Sequence, residues 1–525
     1  EYTLTCDVDG HKAIFKSKDS TTIELTIDIT KNIQAIYGTT GNDLFKASAD
    51  VNFAFYGVSF DSANLDSSKG IYGDTLDYSK VSSDLTINLM QRVVNKGDNK
   101  KDTFSDIQAF IGGTGNDTFI IAYSQGEPHR HFDGNNGNNT LNYEHLPRSL
   151  TFDLIAGEVK GSINFNDTFR NINTINGGSG NDTFILSFAP NSFNDKSDKN
   201  NLTVDGRSGS NTLDFSHWGV SLGTDNDPFE LKTAGDISNG KSNDEAIKYN
   251  WSNINSFIGS KNADHFKISN ANESFVLDGN ENSTGDNTLD YSGLQAESHV
   301  DLNLSTGVAS KYISGQNSSF NIDTIKNIQE IILTNKDDIV RFVDNGNLNL
   351  KTLKQIDGKG GNNSIDFSYY SKDISARITA NKIDLGGDFS VALNGFATTV
   401  SSRGNSTYIV DDNSAGASVT LIGNPAILTG KSSTVDLSAL GNFTYWNLTK
   451  LDNKLDSIGQ LTWDGGNKQA HIITDMITTI KLGNGNNTIY GSNYNHTSYQ
   501  GGSGENTLRY DYDEFQDSLT IVIDS

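Results

Sequence analysis

Three short signatures recur in the same order along this chain, and a repeat of that length restricts the fold to architectures made by stacking one unit on the next. The first is a glycine-rich loop ending in Asp-x-apolar. It is clearest as "GGTGNDTFII" from Gly112 and "GGSGNDTFIL" from Gly177. Its aspartates are Asp43, Asp117 and Asp182, with weaker versions at Asp264 and Asp338, at steps of 74, 65, 82 and 74 residues. The second signature reads "DTLDYS" at 74, "NTLNYE" at 139, "NTLDFS" at 211, "NTLDYS" at 287 and "NSIDFS" at 363. The third reads "DTFSDIQAFIGG" at 102, "DTFRNINTINGG" at 167, "YNWSNINSFIGS" at 249 and "DTIKNIQEIILT" at 323. Five units of about 65 to 82 residues therefore cover residues 26–370.

Inside each unit the pattern is that of strands. "LTINL" at 85, "LTFDL" at 150 and "VDLNL" at 300 alternate apolar and polar residues, so one face is buried and the other wet. Gly, Asn, Asp and Ser cluster between them, the residues that tolerate tight turns and left-handed backbone. No segment shows a helical period with caps at both ends. The expected fold is all-β, a parallel β-solenoid of the β-roll or β-helix kind. Residues 1–25 form an edge or cap, 26–370 the five-unit solenoid, 371–480 a degenerate β-rich region and 481–525 further repeat coils. With about 22 residues per coil and a 4.8 Å rise, the solenoid would be a rod on the order of 100 Å long. Asn487 and Asn506, 19 residues apart in matching loops, are placed one coil apart.

Composition narrows the function by exclusion. Lys and Arg total 40 against 65 Asp and Glu, for a net charge of -25, and no basic stripe is present, so nucleic acid is not an expected partner. The single Cys6 cannot form an internal disulfide. No run of eighteen apolar residues is available to span a membrane as a helix. The opening "EYTLTCDVDG" lacks the basic and apolar blocks of a signal peptide, which fits a chain without one, a mature form or a fragment.

The glycine-rich loops resemble the RTX (repeats-in-toxin, hemolysin-type calcium-binding) family of secreted bacterial proteins, as degenerate copies across most of the chain. The resemblance implies Ca2+ held between stacked turns by Asp carboxylates and by carbonyls of the glycine loop, since calcium takes six to eight oxygens. Carried over residue by residue, it places metal at Gly112, Gly113, Gly115 and Asp117, at Gly177, Gly178, Gly180 and Asp182, and at Gly38, Gly41 and Asp43. It also implies type I secretion, with "DSLTIVIDS" at the end compatible with its signal. The sequence departs from the family in the residue at the Asp position. After the first unit, Asp loops alternate with loops carrying Asn139, Asn211, Asn287 and Asn363, and the last two loops carry Asn487 and Asn506. Stacked Asn side chains can hydrogen-bond to one another and to the backbone without a metal. Calcium at the Asp loops and an Asn ladder at the others are both open, and compatible in one molecule.

Enzyme signals are thin. "EPHRHFDG" gathers Glu127, His129, Arg130, His131 and Asp133, with both histidines on one side of an extended segment. An exposed polar loop explains it as well as acid–base chemistry on an acidic sugar does. The recurring Tyr78, Tyr143, Phe215, Tyr291 and Phe367 read as stacked core residues, and "NSFNDKSDKNN" at 191 as an inserted loop. The expected function is that of a secreted, non-enzymatic, calcium-binding repeat protein, a surface-layer or adhesin-type extracellular rod. Its partners would be calcium, copies of itself in a lattice or filament, or a cell-surface glycan or receptor. The alternatives are the repeat region of a larger toxin and a β-helix enzyme acting on polysaccharide.

Overall fold

A computed structural model describes residues 2–10, 12–17, 22–26, 33–58, 73–122, 129–162, 165–186, 201–238, 248–295, 297–313, 321–344, 352–380, 382–385, 391–424, 430–446, 460–490 and 497–509. Glu127, the 191 loop and the terminal "DSLTIVIDS" lie outside them. The protein is all-β, with forty-nine strands of two to eight residues and two single-turn 3-10 segments among the described residues. The strands lie in long sheets in which parallel pairing predominates, a solenoid-like arrangement. No described helix is long and apolar enough to cross a membrane. Two compact units are present: Glu1–Gly219 with Lys232–Ile258, and Val220–Leu231 with Gly259–Ser525.

In the first unit, successive strands alternate between two sheets, and each pairs in parallel with an earlier strand of its own sheet. Most three-residue strands bury their central side chain, and His131–Asp133 buries all three. In one sheet Phe45, Leu76, Phe110, Phe132 and Phe169 follow one another in register. In the other, Ile87, Phe119, Leu141, Ile175, Val204 and Trp251 do the same. All of these are buried, each contributing about 1.5–3 kcal/mol of apolar burial.

The parallel order is broken at regular intervals. After Thr75–Asp77 the chain enters Thr86–Asn88 and returns through the antiparallel strand Val93–Asn95. It then runs through Lys101–Ser105, which lies beside Ala54–Tyr56. The chain overshoots by two strand positions and fills the gap on its way back. The same three-strand meander recurs at Leu150–Asp153, Glu158–Gly161 and Asn166–Arg170. In the second unit it recurs at Ser298–Asn303, Val308–Ile313 and Asn321–Lys326. It appears again at Ile374–Ile378, Lys382–Leu385 and Ala392–Asn394, and at Phe443–Trp446, Gln460–Trp463 and Lys468–Asp475. One group of seven strands thus repeats through the chain. It persists in residues 371–480, where the sequence signatures fade, because the meander needs only short alternating strands and not the loop motif.

Candidate functional site

The turn residues singled out in the sequence form two kinds of corner. At the first kind, a buried Asp receives N–H groups on both carboxylate oxygens. Asp117 Oδ1 accepts from Leu85 N at 2.9 Å and Oδ2 from Gly113 N at 2.6 Å. Asp182 accepts from Leu150 N at 2.8 Å and Gly178 N at 2.7 Å. Asp43 accepts from Leu4 N at 2.6 Å and Thr39 N at 2.5 Å, and the Thr39 hydroxyl adds a third bond. Asp264 and Asp338 repeat the pattern with Leu222 and Ser260, and with Val300 and Thr334. The glycines make the approach possible: a Cβ on Gly38, Gly112 or Gly177 would strike the carboxylate of its own loop. One on Gly113 or Gly178 would strike the carbonyl of Val81 or Leu146 in the neighbouring strand layer, and one on Gly115 or Gly180 would strike backbone there too. Gly41 N donates to the Thr39 hydroxyl.

At the second kind, a buried Asn donates to carbonyl oxygens. Asn139 Nδ2 donates to Gly134 O at 2.8 Å, Asn136 O at 3.0 Å and Asn171 O at 3.0 Å. Asn211 donates to the carbonyls of Gly206, Ser208 and Asn253. Asn287 donates to those of Gly279 and Asn327, and Asn363 to those of Gly358, Gly360 and Gly395. Asn171, Asn253, Asn327 and Gly395 all sit at positive φ, between 52° and 70°, which turns their carbonyls inward. The two corners are then linked, since the Asp backbone amide donates to the Asn side-chain Oδ1. The pairs are Asp117 to Asn139, Asp182 to Asn211, Asp264 to Asn287 and Asp338 to Asn363, all at 2.8–2.9 Å. Asn487 and Asn506 pair in register and join directly through Nδ2 and Oδ1 at 2.7 Å, with Asn506 exposed.

This donor set does not fit calcium at Asp43, Asp117 or Asp182. A calcium ion needs six to eight oxygens at 2.3–2.6 Å around one point. Here N–H groups converge on the carboxylates, and beside Asp117 and Asp182 an Asn amide fills the place where carbonyls converge. No cluster of three or more His, Cys, Asp or Glu suited to a metal occurs among the described residues. Burial pushes the carboxyls of Asp117, Asp182, Asp264 and Asp338 up to about 6 against the lowering effect of their N–H bonds, and raises that of Asp43 as well.

A second buried network explains the recurring aromatics. The Tyr78 hydroxyl donates to Asp102 at 2.8 Å, and Lys96 Nζ donates to Asp102, Ser48 O and Val51 O. Tyr291, Asp323 and Lys311 repeat the arrangement. Tyr143 and Asp167 do so with Arg130 as the cation. Where the residue in the Asp position is Tyr249 or Val391, the aromatic is Phe215 or Phe367, which has no hydroxyl to offer a carboxylate. These residues are buried in the core, and their Tyr/Phe choice follows the carboxylate.

The stretch His129–Asp133 is committed to internal bonds. Arg130 forms the buried ion pair with Asp167, and Asp133 pairs with Arg170 at 2.8 Å. His129 and His131 lean on the same neighbouring strand, at Asn166 and Thr168. Burial holds His131 down at about 4, hence neutral at physiological pH. Cys6 is buried, and burial followed by the charge of Asp7 pushes its thiol up to about 11.

The positions not picked out from sequence are Asp102, Asp167 and Asp323, and the inward carbonyls at Asp106, Asn171, Asn253 and Asn327. All lie inside the third signature, and its fixed Asp-to-Asx spacing was the available signal. Compared with known proteins, the chain matches no family model and no curated sequence.

Proposed function

We propose that the chain is a non-catalytic, extracellular structural module, a β-solenoid of the surface-layer or adhesin type, whose corners are closed by its own Asp and Asn side chains and not by metal. The observation that carries this reading is the alternation of N–H-accepting Asp corners with carbonyl-binding Asn corners, linked by the Asp amide. Such corners leave few buried polar groups without partners, so the repeat can be extended without ligand or cofactor. The RTX-like loops support secretion, and the acid excess supports solubility. The partner in this reading is another copy of the chain or a cell-surface glycan or receptor.

Negative-stain electron microscopy of the purified chain over a range of concentrations, in EDTA, tests it. Ordered filaments or sheets, or rods that bind a glycan surface, support the structural role. Release of unsaturated or reducing sugar ends from an acidic polysaccharide would replace it with catalysis.

A further inference from the structure

One corner breaks the alternation. At the position of Asn139, Asn211, Asn287 and Asn363, the first repeat carries Asp74. Its backbone setting is that of an Asn corner. Asp74 Oδ1 accepts from the Asp43 amide at 2.8 Å, as Asn139 Oδ1 does from Asp117. The Asp74 amide donates to Gln108 Oε1, as that of Asn287 does to Gln329. Asp106, like Asn171, sits at positive φ. A Cβ on Gly57 would strike both Asp74 Oδ2 and the Asp106 carbonyl oxygen, just as one on Gly134 would strike Asn139 Nδ2 and the Asn171 carbonyl oxygen. Asp74 Oδ2 therefore stands where the Asn corners place an N–H donor. It is buried without a hydrogen-bond partner, in a residue 1% exposed.

We propose that Asp74 folds as the neutral carboxylic acid, with Oδ2–H donating to the carbonyl side of this corner at Asp106 and Gly57, so that the N-terminal corner is closed by a proton and loosens when that proton is lost. The Asn corners hold Nδ2 at 2.6–3.2 Å from the carbonyls of Gly134, Gly279 and Asn327, hydrogen-bond distances that a protonated Oδ2 can reproduce. The charged groups facing Asp74 are Asp43 and Asp106, both acidic, and Gln108 offers only its neutral amide. Burial, with these two charges adding to it, pushes the Asp74 carboxyl up from 3.8 to about 7. Because the folded group binds its proton more tightly than the unfolded one, the stability it lends is full below about pH 4 and is lost as pH rises through 7.

The test is the substitution D74N, which supplies the donor without the proton, in thermal melts of the full chain from pH 4 to pH 8.5. D74N is expected to melt above wild type at pH 8, with the gap closing toward pH 4. Hydrogen exchange of the Asp43 amide should slow in D74N at pH 8. A variant that melts below wild type at pH 8, or a gap that does not change with pH, would overturn the proposal. So would millimolar calcium raising the melting temperature of wild type but not of D74N, since a metal would then occupy the proton's place. D117N is the folding control: it makes the same chemical change at a corner of opposite polarity and is expected to lower stability at pH 8.

Discussion

The corners at Asp117 and Asn139 are 22 residues apart in sequence, adjacent in the stack and opposite in polarity. Around Asp117 the backbone aims N–H groups inward, from Gly113 and Leu85. Around Asn139 it aims carbonyls inward, from Gly134, Asn136 and Asn171, the last held at positive φ. Asp and Asn have nearly the same shape, so the choice between them is set by which end of the peptide dipole faces the side chain. At these corners the choice follows a pairing rule, acceptor for donors and donor for acceptors.

That rule can be broken in both directions. The largest effect is expected from N139D, which sets a buried carboxylate against three carbonyl oxygens. A loss of roughly 3 kcal/mol at pH 8 is expected, recovered in part at low pH as the acid becomes a donor. Urea unfolding at pH 8 and pH 4.5 measures it, and equal losses at both would contradict the rule. D117N comes next. Its amide group would meet the Gly113 or Leu85 N–H, at a cost of about 2 kcal/mol in the same assay. Y78F is smaller, about 1 kcal/mol, because it removes one hydroxyl bond to Asp102 and leaves the Lys96 pair intact. F215Y should not stabilise, since Tyr249 stands where that carboxylate would be.

The pH dependence of wild type follows from the same corners. Burial raises the folded carboxyls of Asp117, Asp182, Asp264 and Asp338 to about 6, above the ordinary 3.8, so the folded chain binds more protons than the unfolded one between these values. Stability should therefore fall as pH rises from about 4 to 6 and flatten above it, apart from the Asp74 contribution. Melting temperatures rising over that interval would contradict the burial of these groups.

Much of this was legible in the sequence. The period-two alternation of "LTFDL" marks the strand Leu150–Asp153, whose residues are alternately buried and half-buried, and the 19-residue step places Asn487 against Asn506. Asn139, Asn211, Asn287 and Asn363 are legible as residues that bind turn backbone, because Asn can both donate and accept, but each joins an Asp amide where the sequence suggests an Asn ladder. The role of the Asp corners was not legible, because Asp in a glycine-rich turn can accept N–H groups or bind a cation, and only backbone direction separates the two. The antiparallel return strands were also hidden. Val93–Asn95 and Glu158–Gly161 have the same local pattern as their parallel neighbours, and strand direction within a sheet is a tertiary property.

Whether these corners close on protein groups alone is decided by circular dichroism melts of the full chain in excess EDTA and in millimolar calcium. A folded β-sheet spectrum in EDTA and coincident transitions in the two conditions are expected. A chain unfolded in EDTA that folds on adding calcium would contradict closure by protein groups and return the Asp loops to metal binding.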